Sequence, residues 1–213
     1  MTDSFDIRES DVLLVVDVQN DFCPGGALAV AHGDEVVAII NRLATRFRHV
    51  VLTQDWHPAG HQSFVSSHPA RKPFDVIEVA YGPQILWPEH CVQGTRGAEF
   101  RADLAIPHAQ LVLRKGYHRA IDSYSAFYEN DRRTPTGLSA YLRERGFVRV
   151  FLAGLALDFC VRFSAEDAVR ERFAVVVVED ACRAIDVDGS LAAARASFAT
   201  LKIECVDSST IIG

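Results

Sequence analysis

The stretch Phe151-Leu152-Ala153-Gly154-Leu155-Ala156-Leu157-Asp158-Phe159-Cys160-Val161 decides how this chain is read. It starts as an apolar run of strand length, turns at Gly154 and reaches Asp158, a residue type that caps helix N-termini. Helical periodicity then continues through about residue 170. The pattern predicts a buried strand feeding a helix, with Cys160 in the first helical turn at the strand's carboxyl end. Helix-start N–H groups and the positive end of the dipole favour a thiolate there, so the expectation is a depressed pKa and a nucleophilic sulfur. The same N–H groups can hold an oxyanion. A cysteine so placed also reads as a small apolar core residue, the commoner use of a buried thiol.

Outward from that stretch, residues 11–18 form a valine-rich apolar run suited to a central parallel strand covered on both faces. A helix is predicted over 33–47 and a strand over 50–53, running into Gln54-Asp55-Trp56-His57. Residues 57–107 are rich in Pro, Gly, His and aromatics with little periodicity, the mark of a functional loop region. Regularity returns with a strand at 111–114 leading to Lys115-Gly116, a helix at 136–145 and a strand at 148–152. A strand at 173–178, a helix at 188–200 with Asp188 near its cap, and a strand at 201–206 complete the pattern. Strands alternating with helices predict an α/β fold, a parallel sheet with helices on both faces. Ligands of such sheets bind outside the carboxyl ends of the strands, where Asp17, Lys115 and Cys160 all fall.

The 213 residues suit one domain, 1–213, with 49% hydrophobic and 23% charged residues. A net charge of -6 disfavours nucleic acid or an anionic membrane as partner. No apolar run approaches the roughly 18 residues of a membrane span. Five cysteines without paired spacing do not resemble a disulfide framework, and the acidic amino terminus shows no signal peptide. The expected setting is a reducing cytoplasm. The composition leaves a homo-oligomer open.

Two groups of residues can carry chemistry. Asp17, Lys115 and Cys160 suit acyl transfer: a thiol nucleophile, a carboxylate to move its proton, and a cation to keep that carboxylate ionised. Asp55-x-His57-x-x-x-His61, followed by Trp87-Pro88-Glu89-His90-Cys91, offers oxygen and imidazole donors for a divalent first-row ion. Taken singly, each residue also has an ordinary structural use, in turns or as a solvated edge. No P-loop, dinucleotide fingerprint or Gly-x-Ser-x-Gly elbow is present.

Together these blocks resemble the nicotinamidase branch of the isochorismatase-like cysteine hydrolases. The matching residues are 16–22 (Val-Asp-Val-Gln-Asn-Asp-Phe), 55–64 (Asp-Trp-His-Pro-Ala-Gly-His-Gln-Ser-Phe), 87–95 (Trp-Pro-Glu-His-Cys-Val-Gln-Gly-Thr), 115–116 with 122–127, and 154–161. They run in the family's order over nearly the whole chain. Leu157 departs from it, since the family often carries Thr there.

The resemblance implies a six-stranded parallel sheet in a three-layer sandwich. It implies Cys160 as nucleophile, Asp17 as proton acceptor and donor, and Lys115 as their electrostatic partner. A non-proline cis peptide is implied at Leu155–Ala156, with the Ala156 and Cys160 N–H groups forming the oxyanion site. Asp55, His57 and His90 are the implied ligands of one divalent ion, zinc first and otherwise iron or manganese. His61 either ligates or lies nearby. Phe22 and Trp87 are implied to sandwich a flat heteroaromatic ring. The activity implied is hydrolysis of nicotinamide to nicotinate and ammonia in NAD salvage, with pyrazinamide as a close analogue. The alternatives are an amidase of the same superfamily acting on another small amide or ureido compound, and a catalytically silent binding relative.

Overall fold

The computed structural model describes residues 5–213. In chain order its elements begin with β1 (Asp11–Val16), α1 (Glu35–Ala44), β2 (Val50–Asp55), β3 (Val76–Val79), β4 (Gly82–Ile85), β5 (Leu111–Lys115) and α2 (Leu138–Glu144). They continue with β6 (Arg149–Leu155), α3 (Arg162–Arg170), β7 (Ala174–Arg183), α4 (Ser190–Leu201), β8 (Glu204–Val206) and α5 (Ser209–Ile212). Six strands make one sheet in the order β5-β2-β1-β6-β7-β8, every pair parallel. The expected α/β architecture is therefore present.

Alternation along β1 divides the core. Leu13 and Val15 face one layer, packed under α1 (Val36, Val37, Ile40, Leu43) and α5 (Ile211). Val12, Leu14 and Val16 face the other, under α2 (Leu138, Leu142), α3 (Ala165, Ala168) and α4 (Phe198). Because the chain runs β1, β2, β5 outward on one side and then crosses to β6, the topological switch point lies between β1 and β6. That is where an open α/β sheet binds ligands. Gly154 is indispensable to the junction. Its φ is +125°, and a Cβ there would stand 2.1 Å from the Val16 carbonyl oxygen on β1.

Several elements differ from expectation. α1 is shorter than 33–47 because its last turn tightens, Arg46 and Phe47 donating to the carbonyls of Leu43 and Ala44. Within 57–107 the chain forms an antiparallel hairpin, β3 with β4, registering Val76 against Ile85. β7 runs on through Arg183, its register against β6 shifting between Leu152 and Gly154. At α4, Asp188 stands next to the cap, as expected. It has φ +50°, and Gly189 occupies the cap position. No helix among the described residues is long and apolar enough to cross a membrane.

Candidate active site

Four strand ends deliver the site. Asp17 follows β1 directly, Asp55 ends β2, Lys115 ends β5, and the Cys160 turn follows β6. In that turn the Leu155–Ala156 bond is cis. Residues Leu157–Val161 wind as one wide π turn before α3 begins. The Ala156 carbonyl accepts from the N–H groups of Phe159 and Val161, on either side of Cys160.

Asp158 does not cap this helix. Its buried carboxylate accepts from the N–H groups of Ile185 (3.0 Å) and Asp186 (2.8 Å) and from Ser190 Oγ (2.5 Å), tying the nucleophile turn to the loop between β7 and α4. Asp158→Asn would present an NH2 group to those donors. It should destabilise the protein by about 2–4 kcal/mol, since hydrogen bonds to a charged acceptor contribute roughly 1.5–3 kcal/mol each. Ser190→Ala, which removes one donor only, should cost less than half as much; urea unfolding of the two variants measures both.

Lys115 joins the two groups of residues that the sequence presents separately. Its fully buried Nζ lies 2.9 Å from Asp17 Oδ2, 3.0 Å from Asp55 Oδ1, 2.9 Å from the Ser123 carbonyl and 3.5 Å from Cys160 Sγ. The Asp17 contact is an ion pair by distance, but Oδ2 receives no well-directed hydrogen bond. Burial works against the Lys115 charge, yet the two carboxylates outweigh it and hold the ammonium protonated far above its ordinary range. Asp17 is pushed up by burial, and the Lys115 cation offsets this only in part. Thr53 fixes the carboxyl's orientation, donating from Oγ1 to Asp17 Oδ1 at 2.6 Å and accepting from the Asp17 N–H at 3.1 Å.

Cys160 corrects the expected depressed pKa. Burial raises the thiol well above its ordinary value, Lys115 lowers it, and the Asp17 and Asp55 carboxylates raise it again. A helix start does not prevail where the sulfur is desolvated beside two carboxylates. The resting group is a thiol, 3.5 Å from the Lys115 ammonium.

Beyond Lys115 stands a second buried cluster. Asp55, His57 and His90 each offer a ligand atom, all within 4.8 Å of one another. Asp55 Oδ2 is 2.9 Å from His57 Nε2 and 3.3 Å from His90 Nε2. Each imidazole donates its Nδ1–H to a backbone carbonyl, His57 to Gly116 (2.9 Å) and His90 to Pro88 (2.8 Å). Such outer bonds fix the tautomer and aim Nε2 inward, as at metal centres. Gly116 permits this approach, because at its φ of +68° a Cβ would stand 2.6 Å from His57 Cε1. Burial lowers the His57 pKa, but the Asp55 carboxylate overrides it and lifts the group to about 9. The same His57 and Lys115 cations hold Asp55 well below the usual carboxylate range in spite of burial. A buried carboxylate facing two imidazole nitrogens is an O/N/N donor set that suits a divalent cation.

His61 belongs elsewhere, grouped with His57 and Asp122. Its Nε2 faces the carbonyls of His118 (3.0 Å) and Ile121 (3.2 Å), and Ser63 Oγ lies 2.8 Å from Nδ1.

Phe22, Trp87, Tyr124 and Phe159 line a narrow crevice together with Cys160, Ala156, Asp55 and His90. Of the expected site residues, Phe22, Trp87, Ala156, Cys160, Asp55 and His90 line this crevice, while Lys115 (beside Cys160), Asp17 (beside Lys115) and His57 (beside Asp55) adjoin it without lining it. Thr53, Ser123, Asp158 and Tyr124 were not expected to serve it. Gln19 was not either, although it braces Asp55 by accepting from its N–H (2.7 Å) and donating to its carbonyl (2.8 Å). Polar side chains such as Gln19 and Thr53, lying in or beside apolar runs, were the available signal.

The profile of the Isochorismatase domain family matches residues 11–204. A nicotinamidase of Acinetobacter baylyi is 52% identical over 200 residues, covering 94% of each chain. Among solved structures, the Acinetobacter baumanii nicotinamidase/pyrazinamidase superposes with a TM-score of 0.95 at 52% identity, over 96% of this chain and 99% of its own. The pyrazinamidase of Pyrococcus horikoshii in complex with zinc superposes with a TM-score of 0.75 at 33% identity, over 93% and 99%.

Proposed function

This chain belongs to the isochorismatase domain family, and from that membership we propose that it hydrolyses nicotinamide to nicotinate and ammonia in NAD salvage. Its nicotinamidase relatives support the activity. The observation that carries it in this chain is the meeting of a thiol, a cation and a carboxylate beside an O/N/N cluster, at an aromatic crevice.

In this reading the ring enters between Phe22 and Trp87 and presents its carboxamide to Cys160. The Asp17 carboxylate accepts the thiol proton as sulfur attacks the carbonyl carbon, so charge need not develop on the buried sulfur beforehand. Lys115 keeps Asp17 ionised until then. The N–H groups of Ala156 and Cys160 receive the oxyanion. Asp17 returns the proton to the departing ammonia, and a thioester on Cys160 remains. Water, deprotonated by Asp17, releases nicotinate and restores the thiol.

Asp55, His57 and His90 fit a divalent ion, which would orient the ring through its pyridine nitrogen and polarise it. Zinc is proposed first, on the donor set and the zinc-bound relative, with iron or manganese as alternatives that the same donors accept. The chain's free thiol nucleophile suits a reducing cytoplasm.

Ammonia release from nicotinamide tests the reading directly. Turnover is expected with nicotinamide and pyrazinamide and not with a ureido substrate. A chelator should lower it by at least about 10-fold, as loss of a metal-site group does, and added zinc, iron or manganese should restore it. Turnover confined to the ureido compound would transfer the protein to the other amidase reading. Nicotinamide binding without turnover of any amide would make it a silent relative.

A further inference from the structure

Phe159 stands between two cavities. On one side is the narrow crevice lined by Cys160. On the other is a wider, mainly apolar groove bounded by Phe74, Val76 and Ile85 of the hairpin region, Phe163 of α3 and Ala193 of α4. Phe159 and Tyr124 line both cavities.

These two rings are held differently. Tyr124 Oη accepts hydrogen bonds from Trp87 Nε1 (3.0 Å) and Gln84 Nε2 (3.1 Å). Phe159 is held by packing, edge-on to Trp87 (4.9 Å between centroids, 89°) and to Tyr124 (5.6 Å, 72°). Of the ionic groups that line the groove, Arg162 is engaged with Glu166 (2.7 Å) and Asp158 with the loop before α4, while Asp188 is exposed to solvent. The space behind Phe159 is therefore open and lined for an apolar group.

We propose that Phe159, braced by Tyr124, is the specificity-determining residue that limits this enzyme to single-ring carboxamides. Its ring partitions the reaction crevice from a groove able to take a fused benzo ring. The inference rests on the amide-hydrolase reading of the same site. It adds which residue sets the size limit and where a larger substrate would extend.

The test compares wild type, Phe159→Ala and Phe159→Leu on nicotinamide and on two benzo-fused analogues, quinoline-3-carboxamide and isoquinoline-4-carboxamide. The bicyclic-to-nicotinamide ratio of kcat/KM should rise about 100-fold in Phe159→Ala for at least one analogue, the scale on which pocket volume discriminates. Phe159→Leu, which removes less volume, should show a smaller rise and keeps the test usable if the alanine variant does not fold. Adding Ala193→Trp, on the groove's far wall, should cancel the gain; alone it should leave nicotinamide turnover unchanged. Calorimetric binding of the bicyclic amides should follow the same ranking, and it reads the partition whether or not the amide is cleaved. A folded Phe159 variant that binds neither bicyclic amide more tightly than wild type would overturn the proposal, as would a gain that survives Ala193→Trp. Failure of wild type on nicotinamide would instead refute the hydrolase reading, and the binding series would still decide the partition.

Discussion

Cys160→Ala is expected to abolish ammonia release from nicotinamide, lowering kcat by a factor on the order of 10⁵ or more. The proposed route needs an atom that bonds to the carboxamide carbon and leaves again as a thiol. Asp17 and Lys115 remain in the variant, but neither occupies that position. Water cannot inherit the sulfur's role through Asp17 alone, because the thioester that water normally attacks is never formed. The fold should survive, since the change deletes one atom from a turn held by Asp158 and by the Ala156 carbonyl. Nicotinamide affinity, read by calorimetry, should stay within a few-fold of wild type, and metal content should be unchanged. Those two controls separate lost chemistry from lost structure. Residual turnover above roughly 1% of wild type would exclude the covalent route, being far above what a missing nucleophile leaves in comparable enzymes. In wild type quenched with acid during turnover, a nicotinoyl group should be found on Cys160.

The parts legible in the sequence are those fixed by local chemistry. Valine-rich runs with no polar alternation announce strands covered on both faces, and β1, β6 and β7 appear where those runs lie. The strand-end positions of Asp17, Lys115 and the Cys160 turn follow from the same pattern, and parallel pairing then brings them to one edge. What escaped depends on contacts distant in sequence. Pro83 and the exposure of Val76 argue against strands, yet β3 and β4 pair because each supplies the other's backbone partners. Asp158 has the residue type of a cap, but three donors some 30 positions away claim its carboxylate. The thiol's raised pKa arises in the same way, since burial beside two carboxylates can be read only once four strands have met. His61 shares a motif with His57, but carbonyls from a separate loop occupy its Nε2.

Lys115→Met should remove both activity and a large part of the stability. Methionine nearly fills the lysine's apolar volume, so the change isolates the charge. Asp17 is 0% and Asp55 3% exposed, and the two carboxylates share this one ammonium at 2.9 and 3.0 Å. Removing one partner of a buried ion pair costs about 3–5 kcal/mol, because the remaining charge has no solvent to turn to. The burden falls unevenly. Asp55 keeps His57 and His90 as partners, whereas the Asp17 carboxyl keeps only the Thr53 hydroxyl. Asp17 should therefore take up a proton, and a protonated carboxyl cannot accept one from Cys160. Turnover should fall by a factor on the order of 10³, within the range of lost general acid–base catalysis. Lys115→Arg should not rescue it, since a planar guanidinium does not fit a fully buried ammonium site. The decisive variant is Asp17→Asn combined with Lys115→Met. Neutralising the stranded carboxylate should return about 1–3 kcal/mol, the usual coupling between contacting groups, while activity stays absent. Urea unfolding and the ammonia assay read the two effects separately. A double variant no more stable than Lys115→Met alone would mean that the lysine acts through packing, and the electrostatic account of this triad would be wrong.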